Sequence, residues 1–165
     1  MKKETTTAAG AIVPLPQMII SCRDKDGRNN ALDVGYCGNA SHDPAMVMIG
    51  IEPSRYSYHI VKETGCFVVN FPPRSFRKEY GFIGTKSGRD VDKFDALDLK
   101  WEDGSKVNAP ILLDCPVNLE CSVVTSILPE GGSNELFIGK VEAVHVDEEY
   151  LAPNGNILWN KLDLI

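Results

Sequence analysis

Short apolar runs dominate the chain, separated by connections rich in Gly, Pro, Asn and Asp. This is a pattern of strands and turns rather than of long helices. Ala11 to Arg23 reads as extended, and its Pro14 and Pro16 suit a sheet edge. "DKDGRNN" supplies turn chemistry after it. Ala45 to Glu52 and Cys66 to Phe71 are short β-rich runs, and Val117 to Leu128 and Leu136 to Val146 are longer ones. The last two are separated by "PEGGSN", a hairpin-type connection containing Gly131 and Gly132. In "GKVEAVHVDEE", Val141, Val144 and Val146 alternate imperfectly with polar positions.

Helical signals are few. Ser54 is placed to cap a helix over Tyr56 to Lys62, with Lys62 in its last turn and Gly65 as its stop. A second helix is predicted over Arg74 to Phe82, after Pro72 and Pro73. No internal repeat is visible. Strands dominate and few βαβ units occur, so the prediction is a mainly β barrel with a few short helices, not a doubly wound sheet.

The 165 residues carry no Pro/Gly/Ser linker and read as one domain spanning 1–165. A chain of this size buries about 70% of its unfolded surface. Acids outnumber bases 23 to 17, for a formal charge of −6, and the bases form no long run. That argues against broad contact with nucleic acid, which rests on clustered Lys and Arg. One small anion needs only a local cluster. No apolar run approaches the roughly 20 residues of a membrane span. "MKKETTTAAGAIVPLPQMII" has Glu4 and threonines where a signal peptide needs an apolar core, so a cytoplasmic protein is expected.

The five cysteines, Cys22, Cys37, Cys66, Cys115 and Cys121, are odd in number and form no CxxC. Reduced thiols are expected. No zinc site is expected, because His42, His59 and His145 share no ligand spacing with them. "DKDGRNNALD" lacks the closing Glu of a calcium loop, and its Gly27 comes too early. "GTKSG" breaks the Gly-Lys-Ser order of a phosphate loop at Thr85.

Three stretches carry candidate chemistry. In "NNALDVGYCGNASHDPAMVMIGIEP", Gly35 and Gly38 allow close backbone approach, and Asn30 and Asp33 offer hydrogen bonds to a polar heterocycle. The alternative is a glycine-containing turn and bulge. In "SRYS", Arg55 and Ser57 stand in the first helical turn, where free N–H groups and the helix dipole already favour an anion. Arg adds a fork matched to phosphate oxygens. The alternative is a capped helix with Arg55 solvated and Tyr56 packed on Ile60. "GTKSGRDVDKF" is glycine-punctuated and basic, and suits either a loop closing over a ligand or a solvated charged loop.

Together, "NALDVGY", "SHDPAMVMIGI", "SRYS", "ETGCFVVNFP" and "KSGRDVDKF", in that order, resemble the flavin reductase-like family and its flavoredoxin-like group. "APILLDCPVNLECSV" resembles the family's later strand entry, and the likeness runs from about Ile12 to Val146. The resemblance implies a split β-barrel that binds FMN without a covalent bond, across a homodimer. It carries Asn30, Ala31, Leu32, Asp33, Val34 and Gly35 onto the flavin ring and ribityl chain. It carries Ser41, Arg55 and Ser57, with Tyr56 between them, toward the phosphate. Ser87, Gly88 and Lys93 fall on the ring or phosphate side. Asp33 stands where the family has Thr or Ser; a carboxylate repels phosphate, so its backbone is the expected contact. The Tyr-x-x-Leu-Gly tail that shapes the substrate face in many relatives does not occur in the 165 residues.

The activity implied is that of an FMN-dependent oxidoreductase, with NADH or NADPH as transient donor and no catalytic acid or base among the side chains. Lys93 is the candidate donor toward the reduced flavin. Two alternatives stand beside it. One is a flavoredoxin-type carrier exchanging electrons with a redox protein partner. The other is a split-barrel binding domain without flavin.

Overall fold

The computed structural model describes residues 1–3 and 12–165. Its strands are β1 (Met18–Arg23), β2 (Asn29–Val34), β3 (Cys37–Ser41), β4 (Met46–Ile51), β5 (Cys66–Phe71), β6 (Trp101–Asp103), β7 (Pro110–Leu112), β8 (Val117–Ile127) and β9 (Glu135–Val146). Its helices are α1 (Tyr56–Thr64), α2 (Arg77–Thr85) and α3 (Lys93–Ala96). The extended run expected from Ala11 becomes strand only at Met18, and Ala11 itself lies outside the described residues.

Seven strands form one antiparallel sheet in the order β2-β1-β5-β8-β9-β4-β3. Its two edge strands, β2 and β3, are consecutive in the chain. The sheet therefore curls until its edges meet at Gly35 and Tyr36, where Gly50 N–H donates to the Tyr36 carbonyl across 2.7 Å. This is a mainly β split barrel with a seam.

Strand alternation divides the core. On β1, Ile20 and Cys22 face the barrel interior, with Leu32, Ile49, Ile51, Val69, Phe67 and Phe137. Ile19 faces outward, into a layer closed by Phe76 and Ile83 of the α2 segment and Phe94 of α3. Both faces of β1 are thus covered, which is why Ile19 to Cys22 are buried without alternation, Ser21 among them through its hydrogen bonds to Pro110 and Asn70. Helix α1 plugs one end of the barrel with Tyr58, Ile60 and Val61. The β6–β7 pair lies over β5, packing Val107, Ala109 and Ile111 on Cys66 and Val68. All five cysteines are free thiols. Burial pushes Cys22 and Cys121 up to about 12.

The imperfect alternation of β9 has a physical cause. Cys121 pairs with Val141 and Glu120 with Ala143, so Glu142 is an extra residue in a β-bulge, and the side-chain phase shifts there. Two helix expectations shift. The chain turns at Glu52–Arg55, closed by Arg55 N–H to the Glu52 carbonyl at 2.9 Å, so Arg55 and not Ser54 occupies the position before α1. The segment after Pro73 opens as a single 3-10 turn at Arg74–Phe76, and α2 then runs on to Thr85. Among the described residues, no helix is long and apolar enough to cross a membrane.

Candidate functional site

The seam of the barrel opens into a cleft of about 500 Å³ between β2, the start of α1, the end of α2 and the loop leading to α3. Of the residues singled out in the sequence, Asn30, Leu32, Asp33, Val34, Gly35, Arg55, Tyr56, Ser57, Ser87, Gly88 and Lys93 line it. Ala31 points into the outer layer, and only its carbonyl reaches toward the site, as an acceptor for Lys93. Ser41 does not line the cleft. It ends β3, beyond a register shift at Asn39, about 16 Å of strand away from Tyr36 at some 3.3 Å per residue.

The mouth of α1 faces this space with no capping side chain and no acid in its first turn. Its free N–H groups and positive dipole end are therefore available to a ligand. Arg55 sits at the cap position, held loosely by Glu52 at 3.4 Å. Below it, Asn30 Nδ2 donates to Ser57 Oγ across 2.6 Å, both residues being buried. This bond fixes the first turn of α1 to β2.

Lys93 is the most constrained cation. It begins α3, which Asp92 caps by accepting from the N–H groups of Phe94 and Asp95. Its Nζ donates to the carbonyls of Ala31 and Ile83, both at 2.7 Å. An ammonium has three protons, so one remains for the cleft. Burial is the main cause that lowers Lys93 to about 8, with Asp33 acting in the opposite sense.

Further residues line the cleft, two of them, Lys86 and Arg89, from the basic loop that the sequence singled out. Arg89 donates to the Ser54 carbonyl at 3.0 Å and stacks over the Tyr56 ring with 5.7 Å to its centroid. Lys86, Glu52 and Asn134 also line the cleft. The lining thus holds four cations, Arg55, Lys86, Arg89 and Lys93, against two carboxylates, Asp33 and Glu52, in a chain of net charge −6. Glycines let the loop come this close. A Cβ on Gly88 would stand 2.5 Å from Tyr56 Cδ1 and 2.6 Å from Asn30 Oδ1, and one on Gly84 would stand 2.8 Å from Asp33 Cγ.

Helix α1 is also braced from its flank. Buried Glu135, at the start of β9, accepts from Tyr58 Oη, Lys62 Nζ and Ser126 Oγ.

The antiparallel barrel with a seam is a fold that known proteins share. The chain belongs to the flavin reductase like domain family, whose model matches residues 10–161. It is similar to the flavoredoxin of Desulfovibrio vulgaris (Miyazaki F), with 27% identity, 98% of this chain and 85% of that one covered, and a TM-score of 0.88. It is similar also to the flavoredoxin from Methanosarcina acetivorans, with 29% identity, 99% and 85% coverage, and a TM-score of 0.90. An uncharacterized protein of Archaeoglobus fulgidus is 31% identical over 142 residues, which are 86% of this chain and 77% of that protein.

Proposed function

We propose that the cleft binds FMN and that the protein is a flavin-dependent oxidoreductase. The observation that carries this reading is the uncapped N-terminus of α1, opening among four cations in an otherwise acidic chain. Such a donor set matches a phosphate dianion, and charge-assisted bonds are about twice as strong as neutral ones. The α1 amides, Arg55, Arg89 and Lys86 would hold the phosphate. Backbone and side chains of Asn30 to Gly35 would lie along the ring and ribityl chain. Lys93 would direct its remaining proton at the ring.

A bound flavin supplies the electron chemistry, and the protein supplies position and field. Lys93 holds a positive charge in a site largely removed from water, where it favours a ligand that gains negative charge. The open mouth leaves room for a nicotinamide nucleotide to approach as donor. A homodimer accords with the half-exposed Tyr36 ring at the rim of the seam. The flavoredoxin neighbours favour a second reading, an electron carrier served by a redox protein.

Titration of the purified protein with FMN tests the reading. The expected result is a perturbed flavin absorption band with one equivalent bound, and bleaching by NADH or NADPH without air. Binding without bleaching leaves the carrier reading. No perturbation of the band refutes flavin binding.

A further inference from the structure

A second cleft, of about 410 Å³, lies on the outer face of the barrel between β6–β7 and the joined ends of β8 and β9. It shares no lining residue with the first.

Asn118 is 4% exposed. Its Nδ2 donates to Asn70 Oδ1 at 2.9 Å and to the Leu112 carbonyl at 3.1 Å. No donor among the described residues reaches its Oδ1. No fully buried side-chain oxygen or nitrogen among those residues lacks a partner, so this oxygen is reached from the cleft that Asn118 lines.

His145 also lines the cleft. Its Nε2 lies 2.6 Å from Glu120 Oε1. That carboxylate is fully buried and already accepts from Ser105, Lys106 and Val107, which holds it down at about 2 and ionised. An ionised carboxylate only accepts, so Nε2 carries a proton that is directed at Glu120. Exposed Glu102 and Asp147 add two carboxylates. No Lys or Arg lines the cleft. Ile111, Val144 and Leu151 make its walls apolar.

A concave site with apolar walls, a buried amide oxygen without a donor and two carboxylates, with no Lys or Arg in its lining, favours a cation. We propose that it binds a small organic cation, an ammonium or guanidinium group carried on an apolar body. The cationic head meets Asn118 Oδ1 and the carboxylates, and the body covers the apolar walls.

The test is a two-dimensional amide NMR titration of the full chain, with and without saturating FMN. The probes are 2-phenylethylammonium chloride and the neutral 2-phenylethanol. The ammonium is expected to give saturable shifts confined to residues 101–103, 111–118 and 144–151, with the alcohol at least tenfold weaker. The double variant Glu102→Gln/Asp147→Asn changes two exposed side chains and is expected to lose at least tenfold in affinity while its other amides stay in place. Equal binding of the alcohol overturns the proposal, as does unchanged affinity of the double variant, or shifts that never saturate. Shifts of the same amides on raising protein concentration alone overturn it too, and assign the face to contact between two copies.

Discussion

Asn30 Nδ2 donates to Ser57 Oγ across 2.6 Å, joining β2 to the first turn of α1 beneath the cationic cleft. Removing the hydroxyl leaves a buried amide without its acceptor, which costs about 1–3 kcal/mol. Ser57→Ala is therefore expected to lower apo-protein stability by that amount in urea denaturation. A variant as stable as the parent would show the bond to be dispensable.

Arg55 is predicted to recognise phosphate rather than ring. A hydrogen bond to a charged group contributes about 1.5–3 kcal/mol, or roughly ten- to hundredfold in affinity. Arg55→Ala should weaken FMN by that factor and leave riboflavin nearly unchanged in fluorescence titrations. Glu52 competes for the same guanidinium at 3.4 Å, so Glu52→Gln should tighten FMN. Equal losses with both flavins would refute the assignment.

Lys93 gives a pH signature of known sign. Its folded-state value of about 8 lies below the ordinary 10.5, so between these values the unfolded chain binds the proton and the folded one does not. Stability conferred through this group rises with pH across that window. In the proposed FMN complex the same deprotonation would remove a positive charge beside the ring. The flavin midpoint potential should fall more steeply with pH above about 8 than in Lys93→Met, as read by anaerobic spectroelectrochemistry. Parallel curves for the two proteins would exclude Lys93 from the field at the ring.

The acid limb is set by two carboxylates. Hydrogen bonds to Lys62, Ser126 and Tyr58 hold Glu135 down at about 2, and His145, Ser105 and the amides of Lys106 and Val107 hold Glu120 there against its burial. Their stabilisation is present above the unfolded value of 4.5 and is lost as pH falls through about 2. Melting temperatures should drop across that interval, and Glu120→Gln should flatten the drop. An unchanged acid profile in that variant would locate the dependence elsewhere.

Gly139 is predicted to be irreplaceable for packing reasons alone. An added Cβ would stand 2.5 Å from Phe67 Cζ in the barrel core. Gly139→Ala is expected to destabilise by about 1–3 kcal/mol, and combining it with Phe67→Leu should recover part of the loss in thermal melts. An additive double variant would mean that the two side chains do not compete for space.

Much of this architecture was legible in residue pattern. The runs at Cys66–Phe71 and Val117–Ile127 announce β5 and β8, because β-branched and apolar residues bounded by Gly, Pro and Asn have few other uses. The start of α1 was not, since Ser54 is the better capping residue and only the Glu52–Arg55 turn shows that it falls one place early. The cleft was legible where its residues cluster in sequence, as at Arg55–Ser57 and Ser87–Gly88. Arg89 was legible only as one base of a candidate loop, because its partner Tyr56 lies 33 positions away. Ser41 came from family pattern, and its place at the end of β3 remote from Tyr36 leaves no mark in composition.

The ammonium of Lys93 grips a carbonyl of β2 and a carbonyl of α2 at once. One amine thus serves as the pin that closes the outer layer onto the barrel and as a charge presented to the interior of the cleft. Chemistry and architecture cannot drift apart at such a position: a replacement that retunes the field also loosens the wall. Changes in the field of the cleft among variants of this chain should therefore arise around the pin, at Asp33 or Arg55, rather than at the pin itself.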